Sequence, residues 1–144
     1  FDEAILAALA ENARLPVTAL AKQVGLSKTP CQNRLKRLID EGFITGFRAV
    51  LNPEKLRREH VAFVEIKLSD TREAALTAFN TALMKLAEVE QCHMIAGNFD
   101  YLLKVRTRDI QEYRATLGEK ISSLPHVSST STHVSMQAVK DVVV

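Results

Sequence analysis

The chain opens with three short stretches whose apolar residues recur at helical spacing. Phe1, Ile5 and Leu9 share one face, Val17, Leu20, Ala21 and Val24 a second, and Cys31, Leu35, Leu38 and Ile39 a third. Three such faces, each too narrow to be stable alone, predict a small three-helix core. Between the second and third stands Gly25-Leu26-Ser27. Glycine admits the positive φ of a helix C-terminus, and serine offers an acceptor to the free amides of the next helix. This is a helix-turn-helix join; Ser27 and Thr29 both qualify as the cap. Pro30 falls in the first turn of the third helix, where backbone N–H groups have no intrahelical partner, so it does not interrupt it. Gly42 to Leu51 then carries two glycines and period-2 apolar character, which predicts a strand or a wing ended by Asn52-Pro53.

From residue 61 the period changes. Ala62, Val64, Ile66 and Leu68 alternate as one face of a strand over residues 61–68, and Leu76, Phe79, Leu83 and Leu86 follow at helical spacing. Residues 89–96 and 101–106 read as two strands around the tight turn Gly97-Asn98-Phe99-Asp100. A second helix carries Ile110, Tyr113, Leu117 and Ile121 and stops at Pro125. A last strand over 127–136 alternates, with Thr130, Thr132, Val134 and Met136 on one side. The order β-α-β-β-α-β predicts a ferredoxin-like sheet with helices on one face and the other face free for a partner. The chain is therefore α+β: a winged helix-turn-helix over 1–51, a linker over 52–58 and a ferredoxin-like domain over 59–144.

Composition adds limits. A 144-residue chain that is 47% hydrophobic and 25% charged can bury a real core. No apolar run approaches the roughly 20 residues of a membrane span, and Phe1-Asp2-Glu3 lacks the basic and apolar regions of a signal peptide, so the expected compartment is the cytosol. Cys31 and Cys92 are too few for a disulfide framework and stand at no metal-finger spacing; both are expected to be reduced, and no metal or cofactor is expected. The net charge of +2 hides an asymmetry. Residues 1–57 carry nine Lys/Arg against six Asp/Glu, residues 58–144 ten against eleven, and Lys28, Arg34, Lys36 and Arg37 occur with no acidic residue among them.

Those basic residues lie on the third helix. With Cys31, Leu35 and Leu38 inward, helical spacing turns Lys28, Thr29, Gln32, Asn33 and Lys36 outward, with Arg34 and Arg37 on the flanks. Gln and Asn suit bidentate pairing with adenine, and Lys and Arg suit phosphates or guanine, so this face suits the DNA major groove. Pairing of Arg34 and Arg37 with Asp40 or Glu41 on their own surface is the competing reading. Catalysis is not expected: Cys92 and His93 are strand neighbours that point to opposite faces, and His126 and His133 lie apart from them.

Gly25-Leu26-Ser27-Lys28-Thr29-Pro30-Cys31, then Arg34-Leu35-Lys36-Arg37-Leu38 and Gly42-Phe43-Ile44-Thr45-Gly46-Phe47, resembles the DNA-binding half of the Lrp/AsnC (feast/famine) regulators. Cys92-His93-Met94-Ile95-Ala96-Gly97-Asn98-Phe99-Asp100-Tyr101-Leu102-Leu103-Lys104-Val105-Arg106, with Leu124-Pro125 and Thr130-Ser131-Thr132-His133-Val134, is similar to that family's RAM/ACT-like module. The chain starts a few residues late for the family, and His133 stands where a tyrosine is often found. The resemblance implies a nucleoid-associated, sequence-specific regulator of amino-acid metabolism. It implies a homodimer, often an octamer, with a small amino acid such as proline or leucine bound where subunits meet. The DNA-binding set is then Ser27, Lys28, Thr29, Gln32, Asn33, Arg34, Lys36, Arg37 and Arg48, and the effector set Gly97, Asn98, Phe99, Asp100, Tyr101, Thr130, Thr132, His133 and Val134. Exposed amides near a glycine turn suit a carboxylate and Asp100 suits an ammonium. A plain turn with Asp100 bonding its own loop, and threonines serving as β-formers, is the competing reading. A ligand-independent architectural protein that wraps DNA is the alternative function.

Overall fold

The computed structural model describes residues 1–142 and divides into a unit of Phe1–Leu51 and a unit of Asn52–Asp141. In the first, α1 (Asp2–Glu11), α2 (Val17–Val24) and α3 (Lys28–Asp40) close over Ile5, Ala8, Leu9, Leu20, Ala21, Cys31 and Leu38, with Val24, Leu35 and Ile44 packed at the margin. Gly25 ends α2 in the left-handed conformation, at φ 81°. Ser27 then takes the cap position of α3 in extended conformation, but its hydroxyl makes no cap bond; its carbonyl accepts from Cys31 N. Thr29 lies inside the helix.

Two expectations on apolar faces fail here. Phe1 is exposed and lies against the Arg34 guanidinium, 5.3 Å from ring centroid to carbon, instead of entering the core; Ile39 is also exposed, on the solvent side of Leu38. The segment over 42–51, expected as a strand or a wing, forms no strand. Gly42, at φ +80°, terminates α3, with Gly42 N donating to Ile39 O and Ile44 N to Leu38 O, and Ile44 then packs on the helical core. Residues 45–51 run on without ladder partners, leaving Phe47, Val50 and Leu51 exposed. Period-2 apolarity marks a surface suited to pairing, but a strand exists only where a second strand takes its N–H and C=O groups.

Residues 52–58 form a compact turn. Asn52 Oδ1 accepts from Glu54 N and Lys55 N, and Arg58 N donates to Pro53 O. The remainder is a four-stranded antiparallel sheet, in the order β2-β3-β1-β4, of β1 (His60–Leu68), β2 (Val89–Met94), β3 (Tyr101–Thr107) and β4 (Val127–Val134). Helices α4 (Glu73–Leu83) and α5 (Ile110–Thr116) cover one face. The central strands supply most of the core: Ala62, Val64 and Ile66 of β1 and Leu103 and Val105 of β3 are fully buried, against Phe79, Leu83, Tyr113 and Ile121.

After Thr116 the helix widens into a π-helical turn, Leu117–Ile121, with Ser122 N donating to Leu117 O. Tyr113, Leu117 and Ile121 are spaced by four, which in an α-helix at about 100° per residue overshoots one face by about 40° per step. The wider turn keeps Ile121 buried. Ile110, expected on that face, is exposed beside the Asp109 cap, whose side chain accepts from Glu112 N at 2.8 Å. Met136, expected to continue the last strand, lies beyond its end and is 99% exposed.

The opposite face of the sheet carries Phe63, Glu65 and Lys67 of β1, Leu102, Lys104 and Arg106 of β3, and Ser129, Ser131 and His133 of β4. Part of it is covered by the chain itself. Lys104 is 9% exposed, and its Nζ lies 3.3 Å from Asp141 Oδ2 in the C-terminal segment.

Candidate DNA-binding face and effector pocket

Ser27, Lys28, Thr29, Gln32, Asn33 and Lys36 are exposed together along the start and outer face of α3, and Cys31 and Leu38 fix this orientation by being buried behind them. The flanking arginines are engaged, though not with Asp40 or Glu41. Arg34 Nη1 lies 3.2 Å from Asp2 Oδ1, and Arg37 Nη2 bonds Asp2 Oδ2. Partial desolvation of the Asp2 carboxyl raises its pKa, but hydrogen bonds and charge from Arg34 and Arg37 outweigh it and hold the group below the usual carboxylate value. Lys36 approaches Asp40 only loosely, at 3.9 Å with both side chains largely exposed, a pair that contributes little. Arg48 is exposed in the unpaired segment after α3. Asp2 was not legible as part of this face, since it stands 32 positions from Arg34.

In the second unit, a pocket of about 150 Å³ opens where the hairpin between β2 and β3 meets β1 and β4. Asn98 and Phe99 of the hairpin, Glu65 and Lys67 of β1, and Ser129, Thr130 and Ser131 of β4 line it. Asn98, Phe99 and Thr130 belong to the expected effector set, whereas Glu65, Lys67, Ser129 and Ser131 do not. The alternation of β1 marks Glu65 and Lys67 as outward-facing; only the pairing of β1 with β4 brings them to Ser131 and Ser129.

The remaining expected residues divide by the side of the sheet they face. Tyr101 turns inward: it is 2% exposed, stacks on Phe79 at 4.3 Å between centroids, and donates from its hydroxyl to Asn80 Oδ1 at 2.6 Å. Thr132 bonds the Tyr113 hydroxyl, so it too faces the helices. Val134, two residues on, pairs with inward-facing Ala62 at the end of β4. Thr132 and Val134 lie farther along β4 than residues 129–131, which line the pocket, and Tyr101 is a core residue. His133 faces the pocket side, with Nε2 2.9 Å from Glu65 Oε2. Asp100 braces the hairpin: Oδ2 accepts from Leu68 N at 2.7 Å, and its own N–H donates to Ile66 O at 2.8 Å. Gly97 has no positive φ, and a Cβ there would meet only Ile95 Cγ2 at 3.6 Å, an ordinary contact.

Cys92 faces the core and His93 the other side of the sheet, and burial pushes the Cys92 thiol up to about 11, the opposite of an activated nucleophile. Cys31 and Cys92 are both free thiols. Among the described residues no group of acidic, His and Cys side chains is arranged to hold a metal ion, and no helix is long and apolar enough to cross a membrane.

Residues 1–45 match the winged helix-turn-helix DNA-binding family and residues 61–143 the Lrp/AsnC ligand binding domain. The sequence is 70% identical over 141 residues to the proline dehydrogenase transcriptional activator of Rhizobium radiobacter, covering 98% of this chain and 90% of that one. It is 45% identical over 139 residues to the leucine-responsive regulatory protein of Escherichia coli strain K12, covering 96% and 85%. The structure aligns with a Neisseria meningitidis transcriptional regulator solved with L-methionine at a TM-score of 0.93 and 29% identity, over 98% of this chain and 91% of that one. With Escherichia coli AsnC the TM-score is 0.87 at 30% identity, over 99% and 95%. Both halves are matched, in order, by relatives that are regulators and not enzymes, so the chain belongs to the Lrp/AsnC family of DNA-binding transcription regulators.

Proposed function

We propose that this protein regulates amino-acid catabolism at the nucleoid, in the cytoplasm, and that a small amino acid, with proline as first candidate and leucine as second, controls it. Residues 1–51 read DNA, 52–58 connect, and 59–144 bind the effector and oligomerise. The observation that carries this reading is the pocket of about 150 Å³ between hairpin and sheet in a ligand-binding half matched to the Lrp/AsnC type. The relative at 70% identity, named for activating proline dehydrogenase, makes proline the first candidate.

On this reading Ser27, Lys28, Thr29, Gln32, Asn33 and Lys36 meet the major groove, with Arg34, Arg37 and Arg48 toward the phosphates. The effector lies against Gly97, Asn98, Phe99 and Thr130. Asp100 holds the hairpin, His133 acts through Glu65, and Tyr101, Thr132 and Val134 support the strands from the far side. The outward sheet face, with Phe63 and Leu102, pairs with a second copy, and dimers assemble further into octamers.

The test is calorimetry with L-proline, L-leucine and L-methionine, alongside gel shifts with and without each and sizing by light scattering. Binding of one of them with a change in DNA affinity or assembly is the expected result. DNA wrapping that is indifferent to all three supports the ligand-independent architectural alternative.

A further inference from the structure

We infer that Glu65 and Lys67, two positions apart on β1, form a zwitterion clamp for the effector, Glu65 taking its ammonium and Lys67 its carboxylate. The inference rests on the reading of this pocket as the effector site and replaces Asp100, the carboxylate that the hairpin itself suggests.

Asp100 is already committed. Its Oδ2 receives the Leu68 amide at 2.7 Å, and Asp100 braces the hairpin without lining the pocket. Glu65 is the carboxylate that lines the pocket, and only Oε2 meets a protein partner among the described residues, His133 Nε2 at 2.9 Å. The imidazole fixes the carboxylate orientation from the side, which makes His133 a positioning residue. Lys67 lines the same pocket and forms no ion pair among the described residues.

Both side chains leave the same face of β1, about 7 Å apart along the strand. An α-amino acid carries its opposite charges on one carbon, so a ligand centred between the two residues satisfies both at once. The backbone is set for this at Lys67. The β1–β4 register shifts between Lys67 and Leu68, Ser128 Oγ donates to Lys67 O at 2.9 Å, and Asp100 grips Ile66 O and Leu68 N on either side. Such irregularities re-aim a side chain beside a site. Phe99 gives the pocket its apolar wall, which favours an effector with an uncharged, apolar side chain over a dicarboxylic or basic one.

Calorimetry on the full chain tests this with L-proline, L-leucine and L-methionine, and with the amide and the N-acetyl derivative of the one that binds tightest. The parent is expected to lose each derivative by roughly ten- to a hundredfold, as for a missing charge-assisted bond. Glu65→Gln should lose the amino acid by a similar factor and no longer distinguish it from the N-acetyl derivative. Lys67→Met should no longer distinguish it from the amide. His133→Ala should weaken binding less than Glu65→Gln does. A parent that binds both derivatives as well as the amino acid overturns the clamp without any variant. Parental affinity in both Glu65→Gln and Lys67→Met overturns it while leaving the effector site standing. A parent that binds none of the three amino acids overturns the effector reading and the clamp together.

Discussion

Arg34 reaches back to Asp2, at 3.2 Å, and Arg37 bonds the other oxygen of the same carboxylate, so one acid at the start of α1 pairs with two cations flanking the outward face of α3. If Arg34 and Arg37 face phosphates, as proposed, that carboxylate competes with DNA for both. Asp2→Asn should therefore tighten binding to any duplex and steepen the slope of log affinity against log salt by about 0.9 to 1.8, the contribution of one or two freed cations. Because the pKa of Asp2 is depressed, the pairing is fully present above the ordinary carboxylate value and is lost as pH falls through the lowered one. The pair should therefore persist at neutral pH. A salt slope unchanged in Asp2→Asn would show that the arginines do not reach phosphates.

Gln32 and Asn33 differ from Lys36 in what they can report. Their amides suit base edges, whereas the Lys36 ammonium suits phosphate. Gln32→Ala or Asn33→Ala should reduce discrimination between a specific and a scrambled duplex by about 1–3 kcal/mol, and Lys36→Ala should weaken both duplexes about equally. Gel shifts at two salt concentrations measure this. Parental binding by all three variants would place the reading face elsewhere.

Asp100 makes a stability prediction in place of an affinity one. Asp100→Ala leaves the half-buried Leu68 amide without its acceptor and releases the hairpin from the end of β1. The cost should be about 1–3 kcal/mol, and Asp100→Asn, which retains an acceptor, should cost less. Urea unfolding of the three proteins decides it: if Asp100→Ala is as stable as the parent, the brace contributes nothing.

These relationships mark where the sequence could and could not be read. The inward alternation of Ala62, Val64, Ile66 and Leu68 and the helical spacing of Phe79 and Leu83 are local patterns, so the sheet and its helices were legible. The segment over 42–51, read as a strand or a wing, forms no strand, because its apolar alternation is that of a strand without a partner and Gly42 serves the end of α3. The site was legible in its hairpin half alone. Asn98 and Phe99 announce a turn, but Glu65 and Lys67 are ordinary outward strand residues until β1 pairs with β4. Thr132 shares a strand face with Thr130 but lies two residues farther from the hairpin, where it meets the Tyr113 hydroxyl and not the pocket.

Cys92 provides a chemical probe of the β2 edge. Its side chain packs against the sheet core, and desolvation alone pushes the thiol up to about 11. The thiolate is the reactive form, so at about pH 8 only roughly a thousandth of Cys92 is nucleophilic in the folded protein. Alkylation by iodoacetamide should be slow at that pH and quicken about tenfold for each unit of rising pH until the fold is lost. Cys31 is fully buried in the helical core and should be shielded by access alone. In denaturant both thiols should react at the rate of a free cysteine. Mass spectrometry of timed samples separates the two sites: rapid labelling of Cys92 in the native protein at about pH 8 would mean that β2 opens at the sheet edge far more readily than its packing against Leu103 and Val105 allows.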